Sequence, residues 1–310
     1  MAYVTYNKYR NRLNRRFTRR ARIVRTKRAP RRKRRSYRRK RMSKRSMLNV
    51  TSRKKRNDML VYSNTTADGT ITLPVNKQPL NVRGNSTYFG VWPATAMDIK
   101  RGGGYNTIAD VAARTSTTCY MRGFSEKIRI QTSSAVPWFH RRICFTASDS
   151  AWVSFKTSTA TQNNYADIPG EGMQRVYRNL YESSELSQLT EYYLNVLFKG
   201  LRDTDWNDLM TARVDDKRVK VKYDKVRTIT SGNQSGTVRS WNFWHPMNSN
   251  LTYDDDVSGE ETATTNYWAA ETNQKMGNYM IIDIIQPGAG AAGTDLLRLV
   301  SESTLYWHEK

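Results

Sequence analysis

Apolar and polar positions alternate most regularly between residues 119 and 131. There Tyr120, Phe124, Ile128 and Ile130 fall on one face and Lys127 and Arg129 on the other. A period of two predicts a strand buried on one side. Pro137 opens the next strand, with Phe139, Ile143 and Phe145 alternating with His140 and Cys144. Residues 218–229 alternate Val219, Val221 and Tyr223 with Lys220, Lys222 and Asp224, then slip phase at Val226, which predicts a bulge. Residues 238–245 form an aromatic strand carrying Trp241 and Phe243, stopped by Pro246. Residues 278–285 are apolar on both faces, and 297–308 place Leu297, Leu299, Leu305 and Trp307 in phase. Residues 86–92 read as a strand ending at Pro93, and 173–181 carry a weaker strand signal.

Between these runs the pattern is less regular. Residues 58–82 mix short β-prone runs with Thr, Asn, Gly and Pro, and 154–172 are polar and turn-rich. A flexible loop is expected at 101–105, a turn at 231–233 and an acidic loop at 254–261. Short helices are expected at 107–114 behind Asn106, and at 204–212 behind Asp203 or Asp205. Residues 185–198 fit a helix through Leu186, Leu189, Tyr193 and Val196, with Gly200 just beyond. The run from Tyr192 to Phe198 fits a buried strand equally well, because short apolar runs are not resolved by periodicity. Eight or so strands, long loops, few helices and no repeat of fixed period predict an all-β chain, a single antiparallel β-sandwich of jelly-roll type.

Charge divides the chain in two. The first 56 residues hold 26 of its 52 Lys and Arg and no acid, while all 27 Asp and Glu lie beyond them. Nearly all of the net charge of +25 therefore belongs to an N-terminal arm, 1–56, and the body, 57–310, is close to neutral. With few apolar residues to bury and dense like charge, the arm is expected to be disordered until it meets a polyanion. Nucleic acid is the natural one, since each neutralised phosphate releases a counterion whatever the sequence. The candidate contacts are Arg15, Arg16, Arg19, Arg20, Arg22, Arg25, Lys27, Arg28, Arg31, Arg32, Lys33, Arg34, Arg35, Arg38, Arg39, Lys40, Arg41, Lys44, Arg45, Arg53, Lys54, Lys55 and Arg56, with Tyr37 as a stacking ring. Lys27, Arg28, Arg31, Arg32, Lys33, Arg34, Arg35, Arg38, Arg39, Lys40 and Arg41 also make an accessible basic run of the nuclear-import kind.

Other chemistry finds little support. The N-terminus has no apolar stretch of a secretory leader, and no apolar run approaches a membrane span. Cys119 and Cys144 read as free buried thiols. Gly288-Ala289-Gly290-Ala291-Ala292-Gly293 matches a dinucleotide fingerprint, but Pro287 precedes it and no helix-then-strand context follows, so it reads as a loop. Asp254, Asp255 and Asp256 with Glu260 and Glu261 lack the spacing of a calcium loop and read as a solvated acidic loop, or as an intersubunit partner for basic residues. His140, His245 and His308 are scattered one per strand, and no nucleotide-binding or hydrolase motif is present. No enzyme, metal or cofactor is expected. Trp241 and Trp307 read as core, and Trp92, Trp138, Trp152, Trp244 and Trp268 are undetermined.

An Arg-rich arm before a jelly-roll body of this size resembles the capsid proteins of small circular single-stranded DNA viruses, the genomovirus (gemycircularvirus) type in particular. The residues that carry the resemblance are Arg53-Lys54-Lys55-Arg56, Leu197-Phe198-Lys199-Gly200, Asp205-Trp206, Tyr253-Asp254-Asp255-Asp256 with Gly259, and the ending from Ser303 to Lys310. The chain is also similar to geminivirus coat proteins, but their Cys/His cluster near the arm is missing, so zinc-assisted binding does not carry over. The resemblance implies a self-assembling icosahedral shell of about sixty copies (T=1), a packaged circular single-stranded DNA, host import receptors as partners, and a life divided between virion and host nucleus. A basic chromatin- or ribosome-like protein acting as a monomer is the alternative reading.

Overall fold

The computed structural model describes residues 42–156, 161–182, 186–271 and 276–310. The disorder expected of the arm, and its basic residues from Arg15 to Arg41, lie outside the described residues. Within the unit Arg45–Lys310, eight strands build two facing sheets, the first of them, β1, begun by residues assigned to the arm and the other seven at segments read as strands: β1 Arg53–Met59, β2 Tyr88–Pro93, β3 Thr118–Thr132, β4 Trp138–Ala147, β5 Lys220–Ile229, β6 Val238–Thr252, β7 Asn278–Pro287 and β8 Leu296–Glu309. One sheet has the order β1-β8-β3-β6 and the other β2-β7-β4-β5. Every pairing among these strands is antiparallel. The chain changes sheet at each step except from β4 to β5, which are neighbours. That connectivity is a jelly roll, the architecture the alternation predicted.

The two sheets bury their facing sides against each other. Trp92 of β2 packs on Phe124 of β3 at 5.3 Å between ring centroids, and Cys144 of β4 lies 3.7 Å from His245 of β6. The outer side of β2-β7-β4-β5 is also covered, by the long connection from β4 to β5. It carries helix α2, Ser187–Leu197, whose Leu189, Tyr193 and Leu197 are buried. Tyr193 stacks on Trp152 at 4.7 Å, and Trp152 meets Phe145 of β4 edge-on at 4.9 Å. Helix prevails over strand here because the i, i+4, i+8 stripe has an apolar sheet to face. This double covering explains why β7 is buried at eight consecutive positions. Among the described residues the outer side of β1-β8-β3-β6 has no such cover, and β3 and β6 alternate buried and exposed residues.

Several expectations are corrected. Residues 107–114 form turns, with no helix; the Asn106 amide donates to the carbonyls of Asp98 (3.0 Å) and Arg114 (3.1 Å), closing the loop. Residues 204–212 are turns too: Asp205 accepts from the Leu201 amide at 2.7 Å and packs against Gly200, whose φ is +88°. The expected loop at 101–105 is a small hairpin pairing Lys100–Arg101 with Gly104–Tyr105. Pro246 does not stop its strand: β6 runs on to Thr252, since it is an edge strand and Pro246 adjoins a register shift. The bulge in β5 falls between Val221 and Tyr223, ahead of Val226. Tyr120 does not join Phe124 inside. A register shift between Tyr306 and Trp307 inserts an extra residue at Arg122 and turns Tyr120 to the open face.

Candidate nucleic-acid interface

Of the residues expected to contact nucleic acid, Lys44, Arg45, Arg53, Lys54, Lys55 and Arg56 are described. Lys44 and Arg45 open the short helix α1, Lys44–Thr51. The other four begin β1, so the sheet takes up the last residues that charge alone assigned to the arm. Alternation then separates them. Arg53, Lys54 and Arg56 are exposed, whereas Lys55 points inward with Asn57 and Met59. The Lys55 ammonium donates to the Ala113 carbonyl at 2.8 Å and lies 3.1 Å from Glu309, both side chains almost fully enclosed. Glu309 also accepts from the Trp307 indole at 2.7 Å. Lys55 is thus a structural cation joining the first strand to the last, and not a phosphate contact.

The interior holds a charged layer that no motif announced. Glu126 of β3, Arg142 of β4, Asp283 of β7 and Arg175 from the short strand Arg175–Tyr177 meet between the sheets, all essentially buried. Arg142 reaches Asp283 at 2.7 Å and Glu126 at 2.5 Å; Arg175 reaches Glu126 at 2.8 Å and Asp283 at 2.6 Å. His140 adds a contact to Asp283 at 2.8 Å, and Tyr177 and Ser303 each donate to Glu126 at 3.0 Å. The guanidinium of Arg175 lies 4.0 Å from the Tyr177 ring centre, that of Arg142 4.5 Å from Phe243. Burial alone would raise both carboxyl pKa values. Arg142 and Arg175, joined at Asp283 by the contact with His140, more than reverse this, holding Glu126 at about 2 and Asp283 well below the usual carboxylate range. The layer splits the apolar interior in two. Phe124, Leu305, Cys144 and Ile281 pack on one side of it; Ile128, Leu299, Trp138 and Ile285 pack on the other. Its one trace in the sequence is a charge inside an apolar run, Asp283 within Met280 to Ile285 and Arg141-Arg142 within Phe139 to Phe145.

The remaining chemistry-bearing residues are also in structural roles. Desolvation pushes the Cys144 thiol up to about 12 and lowers His245 to about 4, so the first stays a thiol and the second a neutral imidazole at neutral pH. Cys119 is likewise buried, its pKa raised by desolvation. The acidic segment is not simply solvated. Asp255 forms a two-pronged ion pair with Arg114 at 2.6 and 2.7 Å, enclosed on both sides. Asp256–Ser258 and Glu261–Thr264 form a hairpin beyond it. The glycine-rich stretch 288–293 is the loop between β7 and β8. Among the described residues, no group of three or more His, Cys, Asp or Glu is placed to hold a metal ion. Trp92, Trp138, Trp152 and Trp307 are core, Trp241 is partly buried, and Trp244 is exposed.

No protein-family model matches the chain, and no curated protein matches it. A solved structure from Desmodium yellow mottle tymovirus aligns with 78% of this chain and 95% of that one, at 9% identity and a TM-score of 0.22. That likeness is too slight to bear on fold or function.

Proposed function

We propose that the chain is a structural capsid protein that assembles into a small closed shell and packages single-stranded DNA through its Arg-rich arm. The observation that carries this reading is the division of charge: half of all Lys and Arg in an acid-free segment, joined to a jelly roll with almost no net charge. A near-neutral body associates with copies of itself without strong repulsion, while the arm needs a polyanion to offset its charge. Long connections between strands, such as the one carrying α2, supply the loops from which contacts between copies are made. The resemblance in sequence to genomovirus capsid proteins supports the finer reading: about sixty copies, a circular genome, entry into the host nucleus through residues 27–41, and no catalytic role.

Expression with single-stranded DNA should give uniform closed particles by size exclusion and negative-stain electron microscopy. A small stoichiometric complex on nucleic acid, with no shells across a range of salt and pH, would favour the chromatin- or ribosome-like reading. A fluorescent reporter fused to residues 1–56 should enter the nucleus; its retention in the cytoplasm would remove nuclear import from the proposal.

A further inference from the structure

The open side of β1-β8-β3-β6 carries an arrangement of rings and cations that the fold does not require. The bulge at Arg122 turns Tyr120 outward, 36% exposed, with its ring 5.8 Å from that of His308. Trp244 on β6 is 48% exposed and meets Tyr306 on β8 at 5.9 Å. Strand β3 runs between β6 and β8, so these two rings meet across it. Gly123 permits this: it pairs with Tyr306, and a Cβ there would lie 2.7 Å from Cζ2 of Trp244. Lys54 pairs with His308 and Arg56 with Tyr306, which sets cations beside both ring pairs. Arg122, Lys127 and Arg129 continue the basic surface along β3, all exposed. The opposing carboxylates are Asp58, 3.4 Å from Arg56, and Glu302, 4.0 Å from Lys127. Both pairs are open to solvent and weak. Burial, together with Lys54 and Arg122, lowers the pKa of His308, leaving a neutral ring on a positive surface.

We propose that this face is a second binding surface for single-stranded nucleic acid, in which unpaired bases stack on Trp244 and Tyr120 while the phosphates run along Arg122, Lys127 and Arg129. The proposal rests on the reading of the chain as a nucleic-acid-packaging protein and adds a folded contact to the arm. Rings beside cations are what a strand-tracking surface requires: a π-face for any base and charge for the backbone. Duplex fits poorly, because its bases are already stacked and out of reach. A second copy presenting the same face is disfavoured by like charge.

The test uses the full chain with oligo(dT) containing 5-bromodeoxyuridine, a matching bromouridine RNA, and a bromodeoxyuridine duplex. Each is photocrosslinked at a salt concentration that weakens the arm's electrostatic binding, and the labelled peptides are mapped by mass spectrometry. Labelling at Trp244 and Tyr120 with the single strands and not the duplex is expected; the ratio of DNA to RNA labelling reports which is preferred. Trp244→Ala should weaken binding roughly tenfold under these conditions, the order carried by one stacked base. Trp244→Phe, which keeps a ring, should retain most of the binding, which separates stacking from loss of fold. Lys127→Gln with Arg129→Gln should reduce the salt dependence while leaving the label on Trp244. Crosslinks confined to the arm would overturn this proposal and leave the packaging function standing. Crosslinks nowhere on the chain, at this salt concentration and at low salt alike, would overturn both. Equal labelling by duplex, or protection of the face by neighbouring copies in nucleic-acid-free shells, would also overturn it.

Discussion

Replacing Arg31, Arg32, Arg34, Arg35, Arg38, Arg39 and Arg41 by Gln is expected to flatten the salt dependence of binding to single-stranded DNA and to leave shells poor in genome. A dense run of like charge meets nucleic acid chiefly through phosphate, which carries no sequence information, so its contacts are expected to be electrostatic and largely blind to sequence. For single strands log K falls by about 0.7 per phosphate neutralised, for each unit of log salt. Ten engaged side chains give a slope of roughly −7, and losing seven of them removes up to about 5 from it. Under the proposed function the same charges set packaging. About sixty arms of 26 charges supply roughly 1,600, enough for a genome on the order of that many nucleotides. All seven precede the first described strand, Arg53–Met59, so the thermal unfolding of the body is expected not to change. The measurements are a salt titration on unrelated single-stranded sequences and the absorbance ratio of purified particles. An unchanged slope with full DNA content would mean that the body holds the genome.

The largest expected loss of stability is at Glu126. Glu126→Ala leaves Arg142 and Arg175 enclosed with one carboxylate fewer between them, and breaking a buried pair of this kind costs about 3–5 kcal/mol. That is a large share of the ~5–15 kcal/mol that holds a domain folded. Glu126→Gln keeps acceptors for Tyr177 and Ser303 but not the charge, so it should fall between the alanine variant and the parent. Urea unfolding midpoints check both; a shift within about 0.5 kcal/mol for the alanine variant would show the layer to be energetically idle. The parent should also respond to acid in a defined way. His245, Glu126 and Asp283 all have folded pKa values below their ordinary ones. Each therefore contributes stability that is intact above its unfolded pKa and lost as pH falls through the folded one. Stability should decline first between pH 6.5 and about 4, as His245 comes to resist protonation, and again below about 4.5, as Glu126 and Asp283 do. Glu126→Gln should blunt the second decline and leave the first. Denaturant titrations at stepped pH separate the two.

Much of the sandwich was legible along the chain because a strand exposed on one side records its two environments residue by residue. The faces of β8, the two-sided burial of β7 and the loop at 288–293 all followed from spacing. Helix and strand stayed equivalent over 185–198 because what decides between them is the surface the segment packs on. Only the folded chain brings Trp152, itself packed on Phe145, against Tyr193. The bulge at Arg122 escaped notice because one extra residue reverses every side chain before it without altering composition, and so Tyr120 moved from core to surface. Charge pattern is read without distance, so Lys55 counted with the arm until Glu309, 254 residues later, proved to be its partner. The same limit hid Glu126, Arg142, Arg175 and Asp283, each on a different strand. The sequence by itself determined the division into polycation and neutral β body, because charge density and alternation are local quantities. The tertiary structure alone decided which charges are buried and paired and which rings face outward, because those depend on what lies across the sheet.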